Sequence, residues 1–156
     1  MQIKEMLYVS ADAFFDQLVK EIAYDVSAST QRKIKPKQVV KGLSYTKRLK
    51  SKIGGKGDVK VTIVDFERPY IYRAKFEGPT GVNYLSYEIE LMDEKDQIGV
   101  TYTEDFQGQT SMKKWNYRLM MLFYNRRSKK KAKRLLRSIE AYIQQEEKNK
   151  ELGQEE

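Results

Sequence analysis

The spacing of apolar residues changes twice along this chain, and that change constrains its fold more than any other feature. Apolar side chains recur at helical spacing near the N-terminus, alternate between residues 43 and 108, and return to helical spacing after residue 111. An alternating stretch of this length forms a sheet with one buried face, and helices must cover that face. The order of the patterns predicts an α+β fold.

The first part of the chain predicts a strand, a helix and a short second helix. Residues 3–9 read as a strand, and Ser10 is a suitable N-cap for a helix over about 11–26. The polar segment after that helix is interpreted as a link. Pro36 is then expected to open a short helix that Gly42 closes.

Five alternating segments joined by short turns predict an antiparallel meander. They are "LSYTKRLK", "DVKVTIVDF", "YIYRAKF", "NYLSYEIEL" and "GVTYTEDFQG". With the strand over 3–9, the expected sheet has six strands. In the last segment Tyr102 and Phe106 fall on the apolar face, and so does the carboxylate of Glu104 between them.

The C-terminal part predicts either two helices or one kinked helix over about 111–147, because "NRRS" at 125–128 shifts the helical phase. The expected first stripe comprises Met112, Trp115, Leu119, Leu122 and Phe123, and the second comprises Ala132, Leu135, Leu136, Ile139, Tyr142 and Ile143. We expect one domain over 1–147 and a frayed, charged tail over 148–156.

Composition narrows the classes of function. The chain has no Cys and no His, which excludes thiol nucleophiles, Ser-His-Asp triads and His-ligated zinc. Acid–base chemistry would fall to Asp, Glu, Tyr or Lys, so a role without catalysis is the main expectation. We expect no cofactor, no metal site and no transmembrane segment, and a cytoplasmic location is the default.

The inward positions of the sheet suggest an aromatic pocket with a few polar groups that orient a ligand. The candidate residues on the sheet are Tyr45, Tyr72, Tyr87, Tyr102 and Glu104, and those on the helix are Trp115 and Leu119. The alternative is that the tyrosines are core residues whose hydroxyls reach solvent or a backbone carbonyl.

Glu104 has three interpretations, because a buried carboxylate without a partner costs several kcal/mol. It forms a structural ion pair with a lysine or arginine, or it lies in water near the mouth of a cavity, or it binds a ligand or takes part in catalysis. A bulge that shifts the strand by one position would instead turn this side chain outward.

The basic residues are unevenly placed. The net charge is +8, and residues 126–137 hold eight basic residues and no acidic one. Lys130, Lys133, Arg134 and Arg137 fall opposite the second apolar stripe. They form either a contact surface for nucleic acid, an acidic protein or an anionic membrane, or a solvated face that aids solubility.

Several segments resemble the START-like, helix-grip superfamily, which includes polyketide cyclases and the birch-pollen-allergen type. "YVSADAFFDQLVKEI" is similar to its opening strand and helix, and "VTIVDFERPYIYRAKF" to its strand, proline turn and strand. "SYEIEL", "VTYTEDF" and "IEAYI" together resemble an uncharacterised bacterial domain-of-unknown-function family within that group. The chain departs from many members in having six expected strands rather than seven.

The resemblance implies a curved sheet wrapped around the last helix, with an internal cavity for an apolar or amphipathic molecule. The leading expectation is therefore a helix-grip domain that binds such a molecule without catalysis. One alternative is binding of nucleic acid or an acidic partner through the last helix. The other is an enzyme of cyclase or hydratase type that uses Glu104 and the tyrosines.

Overall fold

The computed structural model describes the backbone of residues 1–50, 56–79, 81–108 and 114–153. Within these ranges it describes side chains everywhere except at 49–50, 56, 108 and 114–127.

The alternating segments form the predicted antiparallel sheet. Its six described strands are β1 (Gln2–Leu7), β2 (Ser44–Lys50), β3 (Lys56–Glu67), β4 (Ile71–Gly78), β5 (Gly81–Leu91) and β6 (Ile98–Gly108). They lie in the order β1-β6-β5-β4-β3-β2, so the meander is continuous and the N-terminal strand adds at its far edge. The predicted α+β, helix-grip fold is confirmed.

The first helix, α1 (Ala11–Thr30), begins where the sequence predicts and ends later than predicted. Its N-cap is Ser10, whose Oγ accepts a hydrogen bond from the Ala13 amide at 3.1 Å. The helix continues through Thr30, part of the way into the segment interpreted as a link, and ends where Gln31 adopts a left-handed conformation with a φ of 57°. Ser27 Oγ donates to a carbonyl one turn earlier at 2.8 Å, and Thr30 Oγ1 does the same at 2.7 Å.

The predicted second helix is reduced to one 3₁₀ turn, Pro36–Gln38, and Gly42 does not close it. The Gln38 side chain caps the start of the turn by accepting from the Lys35 amide at 2.8 Å, and the chain becomes extended at Val39. Gly42 instead has a φ of +88° and donates its N–H to the Ile63 carbonyl at 2.8 Å. It therefore directs the chain into the sheet.

The second helix, α2 (Lys114–Leu152), is one continuous helix through the segment "NRRS" and extends past the predicted end near 147. Its buried face is narrower than the predicted second stripe. Ala132, Leu136 and Ile143 are buried, whereas Leu135 is 45% exposed and Tyr142 is 50% exposed. The prediction was wrong at these two positions, because the buried face runs through Glu140, whose carboxylate accepts from the Tyr8 amide.

The core lies between the inner face of the sheet and the two helices. From α1, the Phe14 ring lies 6.2 Å from the Tyr87 ring, and the Phe15 ring packs edge-on against Phe66 at 5.2 Å. Leu136 of α2 is fully buried. The inner face is closely packed where α1 covers it. A binding surface is therefore expected at the other end of the strands, away from α1.

Candidate ligand site on the inner sheet face

A row of aromatic rings crosses the inner face of the sheet. The register places Tyr102 opposite Tyr87, Tyr87 opposite Tyr72, and Tyr72 opposite Phe66. The ring centroids of Tyr87 and Tyr102 are 5.0 Å apart, and those of Tyr72 and Tyr87 are 6.2 Å apart. The alternation in the sequence therefore brings three of the four predicted tyrosines into direct contact.

These tyrosines are more buried than a wide aromatic pocket would require. Tyr72 and Tyr87 are each 5% exposed and Tyr102 is 4% exposed. Burial raises the pKa of the Tyr72 phenol, and the neighbouring Tyr87 adds to that effect. Burial also raises the pKa of the Tyr87 phenol, assisted by the negative charge of Glu104. These tyrosines therefore form a buried layer of the core and do not line an open pocket.

Tyr45 belongs to a separate polar cluster at the β2 edge of the sheet, which we call the Asp25 cluster (Asp25, Tyr45 and Lys47). The Asp25 carboxylate on α1 accepts a short hydrogen bond from the Tyr45 hydroxyl. It also forms an ion pair with Lys47, whose Nζ lies 2.8 Å away. Burial and then the Asp25 hydrogen bond raise the pKa of the Tyr45 phenol. The cluster fastens α1 to the edge strand.

Lys47 was not predicted as a site residue, although the alternation of β2 indicates that it faces inward. Lys47 lies between Tyr45 and Leu49 in the alternation of β2, so it falls on the apolar face as Glu104 does in β6. Its side chain is only 20% exposed, and its ammonium lies 5.6 Å from the centroid of the Phe76 ring. The inner face therefore carries a positive group as well as a negative one.

Glu104 keeps the inward facing that the alternation predicts. The β5–β6 register runs without a bulge from Gly81 opposite Gly108 to Leu91 opposite Ile98. The Glu104 carboxylate accepts a short hydrogen bond from the Tyr102 hydroxyl, and its residue is half-buried. Among the described side chains, no lysine or arginine lies within ion-pair distance of Glu104.

The inner face opens at the end beyond Glu104. Phe106, Asn83 and Phe76 lie side by side on β6, β5 and β4. Phe106 is 42% exposed, and Asn83, Phe76 and Leu85 are half-buried. We call this set, together with Glu104, the open end of the inner face. The sequence places Phe106 on this face but predicts only Glu104 as a site residue, because half-buried inner positions look the same as core positions in an alternating pattern.

The predicted helix residues Trp115 and Leu119 lie in the first turns of α2, where side chains are outside the described part of the structure. Their place in the pocket stays a prediction, and so does an enclosed cavity beneath this segment. The second stripe predicts that Leu135 packs on the face that carries the tyrosines; this prediction is wrong, because that side chain is 45% exposed.

The predicted basic face of α2 is exposed, but two of its four residues already have acidic partners. Glu5 of β1 pairs with Lys133 at 2.9 Å and with Arg137 at 3.0 Å. Hydrogen bonding to Lys133 lowers the pKa of the Glu5 carboxyl. A surface groove of about 690 Å³ runs along this face, and its lining includes Lys130 and Arg134. These two residues stay candidates for contact with an acidic partner.

Side chains of the same helix also bond to backbone groups at the end of β1 and just after it. Arg137 donates to the Met6 carbonyl at 2.9 Å, and the Tyr8 amide donates to the buried Glu140 carboxylate at 2.7 Å. Gln144 donates to the Tyr8 carbonyl at 3.0 Å. With Glu5, these contacts form the β1–α2 clamp, which holds the described half of α2 against the sheet edge.

Neither a metal site nor a membrane-spanning helix is found among the described residues. No group of three or more acidic, His or Cys side chains is arranged to hold a metal ion there. No helix in the same ranges is long and apolar enough to cross a membrane.

The sheet, the two covering helices and the order of elements define a helix-grip, Bet v1-like fold, and the solved structures that resemble the chain show the same. A protein of unknown function from Staphylococcus aureus matches with a TM-score of 0.66 at 10% identity, over 95% of this chain and 94% of its own. Ara h 8.0201 matches with a TM-score of 0.56 at 13% identity, over 93% and 97%. A putative uncharacterised protein from Rhizobium leguminosarum matches with a TM-score of 0.52 at 9% identity, over 93% of each chain.

The family follows from the sequence itself. The chain belongs to the family described as Domain of unknown function (DUF3284), whose model matches residues 1–125. No curated protein matches the chain in sequence. The matched range contains the whole sheet and the first turns of α2, and therefore every residue of the open end.

Proposed function

We propose that this domain is a non-enzymatic, START-like binding protein that holds one hydrophobic or amphipathic small molecule at the open end of the inner face. The N-terminal half of α2 would cover the molecule. The proposal is supported by the Bet v1-like fold of the sheet and helices, and by the internal cavity that the family resemblance implies.

The observation that carries the proposal is the gradient of burial along the inner face. At the α1 end Tyr87 is 5% exposed and Val100 is fully buried, whereas Phe106 on the same face is 42% exposed. The partly exposed Phe106 ring and the half-buried Leu85 leave apolar surface in contact with water. A bound apolar molecule would cover that surface, which is favourable. A mostly apolar surface with a few polar groups is typical of small-molecule sites.

The enzyme alternative draws less support from the geometry. Glu104 and the Tyr102 hydroxyl are in contact, but the buried phenols next to them, Tyr72 and Tyr87, have raised pKa values. A phenol whose pKa rises is a weaker acid at neutral pH and a poorer proton donor. A positioning role for these hydroxyls therefore agrees better with the structure than proton transfer does.

Titration with N-phenyl-1-naphthylamine, a neutral probe that fluoresces in apolar surroundings, tests the proposal. We expect saturable binding with one molecule per chain. Replacing Leu85 by Trp fills the open end and should abolish binding, whereas Val82→Trp on the outer face of the same strand should not. Thermal unfolding of both variants shows whether they remain folded.

No saturable binding by the folded wild-type protein would contradict the proposal. Equal loss of binding in Leu85→Trp and Val82→Trp, with both variants folded, would place the probe elsewhere and contradict the assigned site.

A further inference from the structure

The inner face already holds one ammonium group, and the way it does so is informative. The Lys47 ammonium lies between the Asp25 carboxylate, at 2.8 Å, and the Phe76 ring, at 5.6 Å from the centroid. A carboxylate and an aromatic ring together stabilise an ammonium by charge and by the negative face of the ring. At this edge of the sheet, the inner face therefore accommodates an ammonium group between a carboxylate and an aromatic ring.

On the same inner face, but on β6 rather than β2, Glu104 and Phe106 provide a carboxylate and an aromatic ring. The Glu104 carboxylate lies on one face of β6 between Tyr102 and the partly exposed Phe106 ring. Among the described side chains, the hydrogen bond to the carboxylate comes from the neutral Tyr102 hydroxyl and none comes from a cation. The N-terminal ammonium of Met1 donates to the backbone carbonyl of Glu104 at 2.5 Å but forms no ion pair with its carboxylate. The carboxylate and the aromatic ring thus have no ammonium partner among the described residues.

The overall charge of the chain does not favour cations. The net charge is +8, so the long-range field repels a positively charged ligand. Any preference for an ammonium must therefore arise locally, from Glu104 and the rings beside it. The negative charge of Glu104 does reach the aromatic row, where it adds to the rise in the pKa of Tyr87.

We propose that the polar end of the bound molecule is a protonated amine, which pairs with the Glu104 carboxylate and contacts the Phe106 ring. This inference rests on the proposed function and specifies the ligand class as an amphipathic amine. The apolar part of the ligand would lie against Leu85 and Phe76.

An anionic or neutral head group fits the same surface less well. A carboxylate at this position would be repelled by Glu104, and the ammonium of Lys47 is already paired with Asp25. A hydroxyl could donate to Glu104 but would lack the attraction between opposite charges and the contact of a cation with a ring.

Competition against N-phenyl-1-naphthylamine with n-octylamine, 1-octanol and octanoate tests the inference. The three compounds share an eight-carbon chain and differ in the head group. At pH 7 the amine is protonated. We expect it to bind about tenfold more tightly than the alcohol, which is the ratio expected for one charge-assisted contact. Octanoate should bind most weakly.

Two variants locate the preference. Glu104→Gln keeps the shape of the side chain and should reduce the amine-to-alcohol ratio to about one, whereas Asp105→Asn, on the exposed outer face, should leave it unchanged. Phe106→Leu keeps an apolar contact and should lower the ratio without weakening 1-octanol to the same extent.

Failure of this inference differs from failure of the proposed function. If all three compounds compete and the amine has no advantage, or if Glu104→Gln keeps the full advantage while folded, the amine inference is wrong and the binding site stands. If none of the compounds and not even the fluorescent probe binds the folded protein, the proposed function itself is overturned.

Discussion

Replacing Glu5 by Gln removes the negative charge at the centre of the β1–α2 clamp. The Glu5 side chain is only 13% exposed and faces two cations, Lys133 at 2.9 Å and Arg137 at 3.0 Å. Gln has nearly the same volume, so the change tests charge rather than packing. The two cations are left without their shared partner, and α2 loses one of its attachments to the sheet edge.

The expected cost lies between the values for exposed and for buried ion pairs. Lys133 is 57% exposed and Arg137 is 48% exposed, so solvent screens both. Exposed pairs contribute at most about 1 kcal/mol, and breaking a buried pair costs about 3–5 kcal/mol. For one buried carboxylate with two half-exposed cations we expect a loss of about 1–2 kcal/mol in the free energy of unfolding.

Urea unfolding of both proteins as a function of pH measures this contribution. The pKa of Glu5 is lowered in the folded protein from its ordinary value of 4.5. Its contribution is therefore complete above that ordinary value and disappears as the pH falls through the lowered one. The difference in stability between wild type and Glu5→Gln should be constant from pH 7 to about 5 and should shrink below about 4.5.

Glu90→Gln provides the matched control. Glu90 pairs with Lys4 at 2.5 Å on the outer face of the same sheet, but both side chains are more than half exposed. Its replacement should change stability by less than about 1 kcal/mol. Equal effects of the two substitutions, or a Glu5→Gln difference that grows as the pH falls below 4, would refute the reasoning.

Three further substitutions have defined expectations in urea or thermal unfolding at pH 7. Ser10→Ala removes the N-cap of α1 and should cost about 1 kcal/mol, whereas no effect would show that the cap is dispensable. Asp25→Asn leaves the Lys47 ammonium without its ion pair and should also cost about 1 kcal/mol, and a gain in stability would contradict the assigned role. Glu104→Gln should leave stability within about 1 kcal/mol, since a loss of roughly 3–5 kcal/mol would indicate a buried ion pair.

Strand positions were predictable because alternation reports directly which side of a strand is buried. The facing of Tyr72, Tyr87 and Tyr102 followed from this period, and their contacts across the sheet followed from pairing between neighbours in a meander. The inward facing of Glu104 followed in the same way. No bulge interrupts β6, so the parity of the sequence is kept to the end of the strand.

Helix limits and helix faces were less predictable, because local hydrogen bonds decide them. In the polar end of α1, the hydroxyls of Ser27 and Thr30 bond to carbonyls one turn earlier, and the helix ends only at the left-handed Gln31. On α2, Glu140 is buried and accepts from the Tyr8 amide, whereas Leu135 is exposed. A pattern of apolar residues contains no information about which backbone amide a carboxylate will bind.

The polar groups of the candidate site were predicted in part. Glu104 was found because it breaks an apolar alternation, and Lys47 breaks the alternation of β2 in the same way but was passed over. Asp25 could not be assigned from the sequence, since its role depends on how α1 crosses β2. The degree of exposure of Phe106 also depends on tertiary packing and not on strand period.

The central claim is that a small molecule occupies the open end of the inner face. Intermolecular nuclear Overhauser effects between 1-octanol and the protein's methyl groups test it most directly. We expect contacts from the alkyl chain to Leu85 and none to Leu91, which is 62% exposed near the other end of the same strand. Contacts confined to Leu91 and the neighbouring exposed Met92, or no contacts at a saturating concentration, would contradict it.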